Sequence, residues 1–139
     1  MNMATQAAPR NDDETIEQEI VRKGKTALRV TPQAVEAAIA EERYFTAAQG
    51  AAMAWEQGPI GSQGAPDELG PLALLTFCVL VLRNGFTVTG ESACASPENF
   101  DSEIGRKIAR QNAVAKIWPL EGYLLKQRLR EHDFREVNE

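Results

Sequence analysis

Between Glu91 and Asn112 the chain concentrates the residue types that could do chemistry. Glu91, Ser92, Cys94, Ser96, Glu98, Asn99 and Asp101 come first, and Arg106, Lys107, Arg110, Gln111 and Asn112 follow. Covalent catalysis needs a nucleophile with a base in reach. Cys94 has no histidine near it, and the single histidine, His132, lies in the charged C-terminal segment. Ser92 lacks the G-x-S-x-G elbow that exposes an acyl-transfer serine. Glu91, Glu98, Asp101 and Glu103 could approach a divalent cation, but their spacing lacks the regular oxygen ligands of an EF-hand loop. Two cysteines and one histidine are too few for a zinc site. The residues therefore assign no catalytic group, no metal and no cofactor. The acids read better as local structure: Ser96-Pro97 opens a turn, and Asp101 and Glu103 suit a helix start.

Binding is the better use of this stretch. Arginines close to a helix N-terminus are a place for a phosphate. Against that, neither a Walker motif nor G-x-G-x-x-G precedes the helix, and Glu103 with Lys107 makes an ordinary i, i+4 pair. Gly105 costs a helix about 1 kcal/mol against Ala, so something packs closely there, a helix or a ligand. Gln111 falls inside the helix's apolar stripe, which is odd unless its amide finds a partner. The candidate ligand-binding set is Glu91, Ser92, Asn99, Arg106, Arg110 and Asn112.

These residues need a scaffold. The chain has 139 residues, 43% hydrophobic and 25% charged, one domain's worth of soluble globular composition. A net charge of -5 does not favour nucleic acid or anionic membranes. The apolar block Leu72 to Leu82 is too short to span a bilayer, and the N-terminus has no apolar signal region. Two cysteines suggest free thiols in a reducing compartment.

Residues 1–12 are polar and expected to be disordered, residues 13–130 form one domain, and residues 131–139 are a polar tail. Asp13 to Lys23 reads as a short amphipathic helix stopped by Gly24. A second helix runs through residues 32–45, with Thr31 as N-cap, Pro32 in the first turn and Val30 stapled onto Val35. The Gly/Pro-rich stretch 56–71 is a flexible loop. Two β-prone runs then flank Asn84-Gly85, the dipeptide of a type I′ hairpin. That turn would set Arg83 against Phe86, Val81 against Val88 and Val79 against Gly90. The core face would then be Phe77, Val79, Val81, Phe86 and Val88. A two-stranded sheet is marginal, so a third strand is expected from residues 25–30 or from another copy of the chain. A helix follows from Asp101 or Ser102 to Trp118, with a break or kink at Pro119 and a helical continuation. The tryptophan and tyrosine about that kink, Trp118 and Tyr123, read as packing at a helix junction. The fold class is α+β: a β-hairpin-centred small antiparallel sheet packed by a C-terminal helical unit and an N-terminal helix.

Three segments carry a resemblance. "LRNGFTVTGESAC", "SPENFDSEIGRKIARQNA" and "IWPLEGYLL" resemble a small family of tailed-phage proteins, named for gene 49 of a coliphage and gene 66 of a Shigella phage. The likeness is dense over residues 74–129 and looser over 25–45. It implies a phage or prophage origin and a place in the host cytoplasm, and it brings no catalytic residues. The function expected is then a non-catalytic accessory protein acting on the host. Such an anti-defence or host-takeover factor would bind a host protein or sequester a nucleotide signal. The alternatives are an enzyme processing nucleotides or nucleic acid, and a minor virion component. A homo-oligomer is expected, because the hairpin's second face and free edge are under-covered. A nucleotide would sit at the oligomer interface near residues 91–112, with Arg106 or Arg110 on phosphate.

Overall fold

The computed structural model describes residues 12–57 and 70–138. The expectations for residues 1–11 and for most of the Gly/Pro-rich loop lie outside them. The elements are α1 (Asp12–Arg22), α2 (Pro32–Ala37), β1 (Ile39–Thr46), α3 (Ala47–Glu56), β2 (Leu75–Leu82), β3 (Thr87–Ala93), α4 (Ser102–Ala115) and α5 (Ile117–Asn138). Short 3-10 turns at Pro71–Leu74 and Pro97–Asn99 lead into β2 and toward α4. The sheet is antiparallel in the order β1-β2-β3, and α4 lies across one of its faces. This is an α+β fold.

The local signals for helix ends hold. Gly24 takes φ 70°, and the Gly24 and Lys25 amides donate to the Val21 and Ile20 carbonyls, closing α1 in a Schellman motif. The Thr31 hydroxyl accepts from the Ala34 amide, with Pro32 in the first turn of α2. Asp101 accepts from the Glu103 and Ile104 amides at 2.9 and 3.1 Å.

Three expectations are corrected. The helix expected over residues 32–45 ends at Ala37, and residues 39–46 form β1, the third strand. Residues 25–30 are not that strand. "EERYFT" pairs along β2, from Glu41 opposite Val81 to Thr46 opposite Thr76, and that ladder outweighs a modest helix propensity. Secondly, the hairpin is not a two-residue I′ turn. No non-glycine residue among those described has positive φ; Gly85 alone in the loop does, at 88°. The Leu82 amide donates to the Phe86 carbonyl and the Gly85 amide to the Leu82 carbonyl, closing a three-residue loop. The register moves by one: Leu80 opposes Val88, and Val81 opposes Thr87. The buried face is therefore Thr76, Cys78, Leu80, Leu82, Val88, Gly90 and Ser92, while Phe77, Val79 and Val81 are half-buried on the other side and Phe86 is exposed. Thirdly, α4 ends at Ala115 with Lys116 as its cap, and Pro119 sits in the first turn of α5, where its missing N–H is harmless.

Gly105, Ala109 and Ala113, spaced by four, form a smooth stripe where α4 crosses the sheet. A β-carbon on Gly90 would overlap the Ala109 carbonyl oxygen and the Ala113 nitrogen, so helix and strand meet backbone to backbone. A β-carbon on Gly105 would come 3.1 Å from the Thr76 hydroxyl. Around this crossing lie the fully buried Leu80, Cys78, Ile108, Ile117 and Val35. Both cysteines are free thiols.

Candidate functional site

The crossing divides the six candidate residues between the two flanks of α4. Toward β3, the Asn112 amide nitrogen donates to the Glu91 backbone carbonyl at 2.8 Å and ties helix to edge strand. Glu91 itself is exposed, and Ser92 is only 4% exposed beneath the helix. Asn99 belongs to the 3-10 turn before α4, its amide donating to the Ser96 carbonyl. Among the described residues none of these four is hydrogen-bonded to Arg106 or Arg110, and the site foreseen as one cluster is two.

Toward β1, Arg110 is the centre of a network. Its Nη1 and Nη2 donate to Glu36 Oε1 and Oε2 at 3.0 and 2.7 Å, and its Nε donates to Glu42 Oε2 at 3.0 Å. The Tyr44 hydroxyl donates to the same Glu42 oxygen at 2.6 Å. The fork-on-fork pair holds Glu36 below the usual carboxylate range. The Tyr44 hydroxyl, with Arg110, does the same for Glu42. Burial and then Glu42 push the Tyr44 hydroxyl upward, and burial pushes the Cys78 thiol upward. The network ties α2, β1 and α4 together, and its arginine is already neutralised.

Arg106, one turn earlier, forms no ion pair among the described residues and is exposed. It borders a hollow of about 370 Å³ between the start of α4 and the end of β1. Tyr44, Phe45 and Phe100 give the hollow ring surfaces, and Ser102 and Gln49 give it polar groups. Thr76 lines it too; this threonine is 3% exposed, and its hydroxyl oxygen is buried without a hydrogen-bond partner among the described residues. The arrangement offers one available cation, ring surfaces and hydroxyls, which suits binding a small anion with an aromatic part. Among the described residues no group of three His, Cys, Asp or Glu is placed to hold a metal ion. Of the acids considered for a cation, Asp101 caps α4 and Glu103 pairs with Lys107 at 3.4 Å. No helix of the described residues is long and apolar enough to cross a membrane.

Sequence reasoning missed Thr76, Tyr44, Phe100, Glu36 and Glu42. Thr76 left one trace, as the polar residue interrupting an apolar run. Glu36 and Glu42 both fall in the stretch expected to be one helix, and only the switch to β1 brings both to Arg110.

A family model described as "Phage protein (N4 Gp49/phage Sf6 gene 66) family" matches residues 30–129. No curated protein matches the chain. No solved structure matches it.

Proposed function

The chain belongs to the phage protein family of N4 Gp49 and phage Sf6 gene 66, and from that premise we propose a non-catalytic accessory protein that acts on the host by binding. In this reading it works in the host cytoplasm as an anti-defence or host-takeover factor, sequestering a small nucleotide signal. The observation that supports it is the hollow beside Arg106, whose guanidinium forms no ion pair among the described residues, with its Tyr44, Phe45 and Phe100 rings. Phosphate would meet Arg106 and a base would stack on the rings. A volume of about 370 Å³ is at the lower end for a ligand site, so a second copy of the chain would complete it. Homo-oligomer formation is part of the proposal. Phe77, Val79 and Val81 on the open sheet face are only half-buried, and Phe45 is 39% exposed.

Native mass spectrometry of the protein purified gently from a bacterial host tests both parts at once. The expected species is an oligomer carrying a nucleotide-sized adduct that Arg106→Glu abolishes. A monomer at micromolar concentration refutes the assembly, and retention unchanged by the charge reversal refutes the site.

A host-protein target is the second reading, favoured by an apolar groove of about 530 Å³ between the hairpin tip and α5. Phe86 and Tyr123 in that groove are 54% and 73% exposed. A clean species without adduct would move the assignment there, with a pull-down to follow.

A further inference from the structure

Gln111, out of place in an apolar stripe, has a buried side-chain oxygen, Oε1, that finds no partner among the described residues. A buried amide oxygen left without a partner is destabilising, so its surroundings call for an explanation. They are two hollows of about 660 and 590 Å³ lined by residues of α1, α2 and α4. Gln111, Pro32, Val114, Trp118 and Asp13 line both, so the two hollows adjoin along these residues. Arg106 lines neither, and the site is independent of the one proposed above.

The walls carry one kind of unmet demand. Arg110 is satisfied by Glu36 and Glu42, Lys107 by Glu103, and Glu17 by Arg29. Asp13 and Glu14, at the mouth of the larger hollow, form no ion pair among the described residues. Val114 and Pro32 supply apolar surface, and the half-buried Trp118 supplies an indole. We propose that this double hollow is a binding site for a small organic cation, a primary ammonium on an apolar chain. Its hydrocarbon body packs on Val114 and Pro32, its charge is met by Asp13, Glu14 and the Trp118 ring, and one N–H is donated to Gln111 Oε1. Binding requires the terminal amide to turn about its last torsion, because that oxygen is buried in the free chain.

The test uses the full chain with Trp55→Phe, which leaves Trp118 as the sole tryptophan of the two. Its fluorescence is followed on titration with hexylammonium, hexyltrimethylammonium and hexanoate. The expected result is saturable binding of hexylammonium, binding about tenfold weaker for the trimethyl form, which has no N–H to donate, and none for hexanoate. Gln111→Leu should erase the difference between the two cations, and Asp13→Asn with Glu14→Gln should weaken both. Equal binding of hexanoate, an unchanged preference in Gln111→Leu, or no response to hexylammonium would overturn the proposal. Should Gln111→Leu fail to fold, the three-ligand series on the otherwise native chain decides alone.

Discussion

Arg106 and Arg110 stand one turn apart on the same helix and have opposite surroundings. Arg110 reaches across to α2 and β1 and is held there by two carboxylates and, through Glu42, by Tyr44. Arg106 lines an open hollow and forms no ion pair among the described residues. The difference does not lie in the arginines. It comes from what the chain brings opposite each position: Glu36 and Glu42 at one, rings and hydroxyls at the other. A cation already neutralised in the fold stabilises the scaffold, and one left unpaired near a cavity is available to a ligand.

The comparison can be broken most severely at the crossing that supports both arginines. Gly90→Ala drives a methyl group into the α4 backbone and should cost about 3 kcal/mol or more, seen as a large drop in the denaturant midpoint. Near-normal stability would mean that α4 can lift from the sheet. Next comes Arg110→Met. The pairs are partly exposed, with side chains at 30% for Arg110, 54% for Glu36 and 40% for Glu42, so solvent screening reduces the loss to about 1–2 kcal/mol.

The pH dependence sharpens the same point. Glu36 and Glu42 are held below their ordinary range in the folded protein, so the unfolded chain takes up protons first as the solution is acidified. Their contribution is fully present above the usual carboxylate range and is lost as the pH falls through the folded values. Stability of the native chain should therefore decline more steeply in acid than that of Arg110→Met, and parallel acid-unfolding curves would contradict the network. Thr76→Val, at the floor of the Arg106 hollow, should raise stability by about 1 kcal/mol by removing an unpaired buried hydroxyl. A loss instead would reveal a partner for that oxygen. The smallest effect on folding is expected from Arg106→Glu, within about 0.5 kcal/mol, although it should abolish retention of an anionic ligand.

Much of this molecule is written locally. Thr31-Pro32 and Asp101 start helices and Gly24 stops one because capping depends on neighbours two to four residues away. The Asn84-Gly85 hairpin and the helix after it are legible for the same reason. The α+β class and the likeness of residues 74–129 to a phage family likewise came from the sequence by itself. Tertiary structure decided what depends on distant partners. Residues 39–46 became a strand because β2 had an open edge. One glycine in the loop added a residue to the turn, and a one-residue shift in a period-two strand exchanged the buried and open faces. The separation of Glu91, Ser92 and Asn112 from Arg106 and Arg110 follows from the sheet-side stripe of α4, which faces the two groups to opposite flanks. The pairing of Arg110 with Glu36, 74 positions away, has no local signature. A charge shows its type in sequence, but its availability is set by what the fold places within hydrogen-bond reach.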